Sequence, residues 1–174
     1  MPTQSRGTPD PHGAPPSSAP LNSAPAAEAE RMLLACLHSL RWALRVVAHR
    51  PYPDLDSLLA ACDEAAYDLS PADLTAALAA ECLPALPEGT YSAAHTALSA
   101  AHAAYEAKFG HVFVICLDGV PPGEALDHTL EAIRSRLAND PEDERVVAAE
   151  ELRRLAKARL LHALRGAGDC ATSH

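Results

Sequence analysis

The stretch Tyr105-Glu106-Ala107-Lys108-Phe109-Gly110-His111-Val112-Phe113-Val114-Ile115-Cys116 combines aromatic, glycine and β-branched residues as no other part of the chain does. It ends an alanine-rich run of helical composition, turns at Gly110 and continues as an extended apolar segment that requires burial on both sides. Extended backbone inside a helical bundle leaves N–H groups without intrahelical partners. Residues 111–116 are therefore either a buried connector between two helices or one wall of a ligand site.

The rest of the chain predicts a bundle of helices. Of its 174 residues 48% are apolar and only 4% are aromatic, which favours helices packed through small side chains. Ser70-Pro71 and Asp140-Pro141 are typical helix starts, and these two helices should end near Glu81 and Leu164. We expect an all-α, single-domain bundle of about seven helices with a short extended segment near 111–116.

The two ends of the chain differ in composition from the middle. Residues 1–27 are rich in Pro, Ser, Ala, Thr and Gly and hold almost no large apolar side chain. Such a segment cannot bury enough surface to offset the entropy of ordering it. We therefore expect a disordered tail over 1–27, a helical domain over 28–165 and a frayed C-terminus over 166–174.

The charge and the cysteines restrict the class of protein. A net charge of −9 argues against nucleic acid or an anionic membrane as partner, since both need a basic surface. The sequence contains no apolar run long enough to span a membrane and no signal-peptide pattern at its start. The cysteines are odd in number and scattered, which indicates reduced thiols. We expect a cytoplasmic protein.

Four side chains are candidates for chemistry. His95 and His102 lie two turns apart on one helix, too far apart to ligate a single metal, so no metal site is predicted. Arg159 lies beside the apolar stripe of the last helix, where its guanidinium either reaches an anion in a pocket or stays solvated. Glu81 is either a pocket acid or a polar helix terminus. None of these residues alone identifies a reaction.

Four segments, in their order and rough spacing, resemble the decarboxylases of 2-oxo-4-hydroxy-4-carboxy-5-ureidoimidazoline (OHCU), which complete the conversion of urate to (S)-allantoin. The segments cover most of residues 30–164. They are Trp42 followed by Arg50-Pro51-Tyr52; residues 104–115, which include most of the opening stretch; Arg136-Leu137-Ala138-Asn139-Asp140-Pro141-Glu142-Asp143-Glu144; and Leu155-Ala156-Lys157-Ala158-Arg159-Leu160.

The resemblance implies an all-α bundle, often a homodimer, that acts on a small carboxylated ring without metal or organic cofactor. Loss of carbon dioxide leaves negative charge that the ring delocalises, so the protein supplies orientation, a proton and hydrogen bonds. By the same resemblance, Arg159 contacts the substrate. The backbone of Phe113, Val114 and Ile115 binds its ring.

The chain departs from the family at three places. Ala80-Glu81-Cys82 stands where the family has Ala-His-Pro, so Glu81 takes the place of the acid/base histidine. The segment 82–89 lacks the Glu-Gln pair that grips the ring, and His102 stands where an asparagine is common. Either His95 or His102 could replace the missing histidine if it reached the pocket.

Three hypotheses about function follow. The first is a decarboxylase of urate catabolism, or a close relative that uses Glu81 on another carboxylated heterocycle. The second is a non-catalytic relative that binds a small ligand or a protein partner, since a fold can outlive its chemistry. The third is a module recruited through its proline-rich tail.

Overall fold

This computed structural model describes residues 15–84 and 92–171. These residues contain eight α-helices and no strand. The all-α prediction is confirmed, with one helix more than expected. The helices are α1 (Ala19–Ser23), α2 (Ala26–Cys36), α3 (Leu40–Ala48), α4 (Leu55–Tyr67), α5 (Pro71–Ala79), α6 (Ser92–Phe109), α7 (Ala125–Arg136) and α8 (Pro141–Ala171). In these two ranges no helix has the length and apolar character needed to cross a bilayer.

Side-chain caps set the starts of α5 and α8, as predicted, whereas the ends of these two helices differ from the prediction. The Ser70 hydroxyl accepts from the Asp73 N–H at 3.1 Å, and the Asp73 carboxylate accepts from the Ser70 N–H at 3.2 Å. Asp140 accepts from two N–H groups of the first turn of α8, each at 2.9 Å. However, α5 already ends at Ala79, so Glu81 follows the helix, and α8 continues beyond Leu164 to Ala171.

Helix α8 is the centre of the larger core, against which α1, α2 and α4 pack. Its buried stripe consists of Ala148, Leu152, Ala156, Leu160 and Leu164. A second, smaller core cluster lies where α6, α7 and the extended segment meet, and consists of Leu98, Tyr105, Phe113, Ile115 and Ile133. The extended segment therefore lies between two packed groups of helices, with Val114 in the larger core and its two neighbours in the smaller one.

The predicted disordered tail is wrong for its last part, because α1 and the start of α2 lie within residues 15–27. Leu21 is fully buried in the larger core. The Arg50 guanidinium donates to the Leu21 carbonyl at 2.7 Å, and Asn22 exchanges two hydrogen bonds with the backbone of Tyr52, each 2.8 Å. These contacts with residues far along the chain hold the segment in place. The predictions for residues 1–14 and 172–174 lie outside the described residues.

A buried ion pair fixes the extended segment to the helices around it. The Glu144 carboxylate of α8 accepts from Nε of Arg136 of α7 at 2.8 Å and from Asn139 at 2.9 Å, and the Tyr105 hydroxyl of α6 also donates to it. In the ion pair, Nη2 of Arg136 lies 2.6 Å from the same carboxylate. Arg136 in turn donates to the Val114 carbonyl at 2.6 Å, and its guanidinium lies 4.4 Å from the centre of the Phe113 ring. Three helices and the extended segment thus share one buried charge pair.

Residues 112–117 have neither helical nor strand geometry, as the sequence predicted, and the turn before them is made by Gly110 with a φ of 78°. Phe113, Val114 and Ile115 are all buried. The His102 imidazole is also buried and stacks on the Phe113 ring with 5.9 Å between ring centres. Its Nε2 has no hydrogen-bond partner among the described residues.

We expect Leu21→Ala to lower the free energy of unfolding by about 2–4 kcal/mol, because it leaves a cavity in the larger core. Urea denaturation followed by circular dichroism measures the change. Leu44→Ala is the matched control, since Leu44 is 47% exposed, and should cost no more than about 0.5–1 kcal/mol. Equal losses in the two variants would show that α1 does not belong to the core.

We expect Glu144→Gln to cost about 3–5 kcal/mol of unfolding free energy, because Arg136 would remain buried without a counter-charge. The same denaturation experiment measures it. Glu142→Gln, two residues earlier in the same helix, is the control, because the Glu142 side chain is 80% exposed and its ion pair should contribute at most about 1 kcal/mol. A Glu144 variant as stable as the Glu142 variant would contradict the buried-charge account.

Burial lowers the pKa of His102 below its ordinary value of 6.5. The unfolded chain therefore binds this proton more readily than the folded chain, and the contribution of His102 to stability is lost as the pH falls below about 6.5. We expect His102→Asn to reduce the loss of unfolding free energy between about pH 7.5 and about pH 5.5. His95→Asn, which replaces an exposed histidine, is the control and should lose as much unfolding free energy as wild type. A His102→Asn variant with the same loss of unfolding free energy as wild type would refute the prediction.

Candidate functional site

A pocket of about 260 Å³ lies where the extended segment meets α8 and the chain that follows α5. It is lined by Cys82, Leu83, Pro84, Phe113, Val114, Ile115, Leu117, Leu155 and Arg159. A larger groove of about 350 Å³ lies between α4, α5 and α8, but its walls are mostly apolar and it contains none of the predicted site residues. The smaller pocket is the candidate site because polar groups and the extended backbone converge there.

Glu81 and Arg159 form a bidentate ion pair beside this pocket. The two guanidinium nitrogens Nη1 and Nη2 donate to the two carboxylate oxygens at 2.9 and 2.8 Å, and Nη1 also donates to the Cys36 carbonyl at 3.1 Å. The Glu81 side chain is 4% exposed and that of Arg159 is 37% exposed. The hydrogen bonds that Arg159 donates to the Glu81 carboxylate raise the pKa of Arg159 above its usual range, so the guanidinium is a permanent cation.

Arg159 keeps donors for a ligand. A guanidinium has five N–H groups, and three are used by Glu81 and Cys36. The two that remain, on Nε and Nη2, have no partner in the described part of the chain. Because Arg159 lines the pocket, a ligand with two adjacent acceptors fits this edge of the guanidinium.

The extended backbone supplies further donors. Within residues 15–84 and 92–171, the N–H groups of Phe113, Val114 and Ile115 have no hydrogen-bond partner. The next N–H, that of Cys116, is taken by the Glu151 carboxylate at 2.8 Å. Unpaired amides beside a fixed cation are suited to ring carbonyls or to negative charge on a ligand.

The structure pairs Glu81 with Arg159 and places Arg159 in one pocket with residues 113–115, whereas Glu81 itself does not line the pocket. His95 is exposed on α6, and His102, although stacked on Phe113, does not line the pocket. In the described ranges no group of three or more His, Cys, Asp or Glu side chains could hold a metal ion. The segment 82–89, where the sequence lacks the Glu-Gln pair of the family, is described only for residues 82–84.

Three parts of the site were missed by sequence reasoning. The Cys36 carbonyl, which accepts from Arg159, and the Cys82 side chain, which lines the pocket, carried no signal in the sequence. Glu151 did carry one. It precedes Leu155 and Arg159 by four and eight residues, a spacing that places all three on one face of a helix.

The sequence is similar to one protein family. The family model described as OHCU decarboxylase matches residues 22–94 and 83–161, and together these segments span most of the chain. No curated protein sequence matches the chain.

Two solved structures show a similar fold. The crystal structure of an (S)-allantoin synthase is 24% identical, with a TM-score of 0.64, over 83% of this chain and 53% of that one. The chain thus spans about half the length of that protein. A crystal structure of an OHCU decarboxylase in the presence of (S)-allantoin is 21% identical, with the same TM-score of 0.64, over 75% of this chain and 95% of the other. With the family match over residues 22–161, the chain belongs to the OHCU decarboxylase family.

Proposed function

We propose that the pocket beside Arg159 binds OHCU and that the chain decarboxylates it to (S)-allantoin in urate catabolism, without a cofactor. The observation that carries this proposal is the placement of the Arg159 guanidinium, with two unused N–H donors, in one pocket with the unpaired amides of residues 113–115. A ureidoimidazoline ring offers carbonyl and carboxylate oxygens to these donors.

The reaction breaks one carbon–carbon bond. The carboxylate leaves as carbon dioxide, the electron pair of the broken bond stays on the ring, and one proton is added there. Arg159 orients the substrate through its free edge, and the amides of residues 113–115 hydrogen-bond to the ring as negative charge develops on it. Because these donors are fixed by the surrounding packing, they need no rearrangement during the reaction.

In this proposal Glu81 moves the proton. As a carboxylate it accepts the proton of the substrate hydroxyl, whose oxygen becomes a ring carbonyl, and returns this proton to the neighbouring ring carbon after carbon dioxide has left. A second proton, taken from water, neutralises the ring atom that received the electron pair of the broken bond. Its side chain is almost fully buried beside Arg159, which holds it at one position relative to the pocket. Proton transfer requires the Glu81 carboxylate to turn partly away from Arg159, since Arg159 binds both of its oxygens.

The same ion pair favours a second candidate function, a non-catalytic relative that binds a small ligand or a protein partner. Both Glu81 oxygens are already engaged, and Glu81 itself is not part of the pocket lining. A site of this kind would bind a ring at Arg159 without transferring a proton. A homodimer and a cytoplasmic location remain predictions for either function.

We expect wild-type protein to accelerate the decay of enzymatically generated OHCU, followed by circular dichroism as (S)-allantoin appears. Glu81→Gln and Arg159→Gln should each reduce the acceleration by about 10²–10⁴-fold, the usual contribution of a proton-transfer or charge-stabilising group. Arg134→Gln is the control, because it removes an exposed arginine whose ion-pair partner, Glu131, is also exposed, and it should leave the rate unchanged.

Decay no faster than the buffer blank with wild-type protein would exclude the decarboxylase proposal. Calorimetric titration with (S)-allantoin then tests the second candidate: binding that Arg159→Gln weakens and Arg134→Gln does not would support a non-catalytic ligand site. A loss of rate as large in Arg134→Gln as in Arg159→Gln would mean that the effect arises from the fold and not from the pocket.

A further inference from the structure

The Glu81–Arg159 pair also determines the charge that a ligand meets in the pocket. Among the described lining residues Arg159 carries the single formal charge. Glu81 binds the end of the guanidinium formed by Nη1 and Nη2, while the side formed by Nε and Nη2 keeps its unused donors. A ligand at that free side therefore faces a cation that a buried carboxylate already neutralises.

The other charges near the site do not alter this balance. The Glu151 carboxylate, bound to the Cys116 N–H, is paired with Arg154 at 3.3 Å. Lys157, on the next turn of α8, is paired with Asp63 at 3.0 Å. The balance beside the pocket is thus set by one anion and one cation whose charges cancel.

We infer that Glu81 is a specificity-determining residue that makes the site hold a neutral ureido ring more tightly than a carboxylate. A ligand carboxylate at Arg159 gains little from a guanidinium whose charge is already compensated, and it is repelled by the Glu81 carboxylate across the same group. A neutral ring pays no such cost, because it uses the free N–H donors of Arg159 and of residues 113–115 as ordinary hydrogen bonds.

This inference rests on the ligand site of the proposed function and adds a consequence for its reaction. Repulsion between the Glu81 and substrate carboxylates is present when substrate binds, and it disappears when carbon dioxide leaves and the negative charge spreads over the ring. An interaction that disfavours the bound substrate more than the transition state raises the rate at saturation and weakens substrate binding.

The test uses calorimetric titration to compare two ureido compounds that differ in charge. One is neutral (S)-allantoin and the other is the anionic, ring-opened allantoate. Wild-type protein should bind (S)-allantoin more tightly than allantoate. Glu81→Gln, which removes the charge and keeps the size, should strengthen allantoate binding by about tenfold or more, the effect of one uncompensated charged hydrogen bond. Affinity for (S)-allantoin should change by less than about threefold, the effect of a neutral contact.

Matched variants separate charge from shape. Glu81→Asp keeps the negative charge and should retain the preference of the wild type. Adding Arg159→Gln to Glu81→Gln should remove the gain in allantoate binding, and added salt should shrink it. Thermal unfolding of each variant reports whether it is folded at the temperature of the titration.

Several outcomes would overturn the inference. These are a wild type that prefers allantoate or binds neither compound, and a Glu81→Gln variant in which both affinities rise equally or that of allantoate does not rise. The wild-type comparison decides the matter even if Glu81→Gln fails to fold. Because binding is measured without turnover, unchanged allantoate affinity together with lost decarboxylation would reject this inference and leave the proposed function standing.

Discussion

The buried carboxylate of Glu144 is the constraint on which the rest of this structure depends. An ionised group without water is costly unless every oxygen is paired, and here the donors come from α6, from α7 and from the turn before α8. Those segments cannot move apart without exposing the charge. Because Arg136 also holds the Val114 carbonyl, the same constraint fixes the extended segment, whose residues 113–115 line the pocket.

The two ion pairs beside the extended segment have different roles because they differ in exposure. The Arg136–Glu144 pair is buried, and Arg136 also donates to the Val114 carbonyl and the Tyr105 hydroxyl, so this pair positions the backbone. The Arg159–Glu81 pair is open on the arginine side, where 37% of the side chain is exposed. Solvent screening reduces the contribution of such a pair to stability. Its free donors are the reason that it can serve binding.

The sequence predicted the features of the fold that depend on neighbouring residues. The caps at Ser70 and Asp140, the turn at Gly110 and the extended segment after it all follow from a few neighbouring residues. The helix α1 could not be predicted, because its order depends on contacts of Leu21 and Asn22 with residues about thirty positions later. The Glu144 network is equally non-local. Its segments were recognised by resemblance, but no periodicity in the sequence indicates that a tyrosine, an arginine and a glutamate from three helices form one hydrogen-bonding network.

The sequence named candidate site residues but gave no sign of how they pair. Resemblance placed Glu81 at a histidine position and Arg159 at a substrate contact, but only the fold shows that the two bind each other. An imidazole next to a permanent guanidinium favours its neutral form, so a histidine at this position would leave the arginine charge available to an anion. A glutamate cancels that charge. One substitution therefore changes the ligand charge that the pocket favours, while the bidentate pair satisfies the carboxylate that it buries and so limits the cost to the fold.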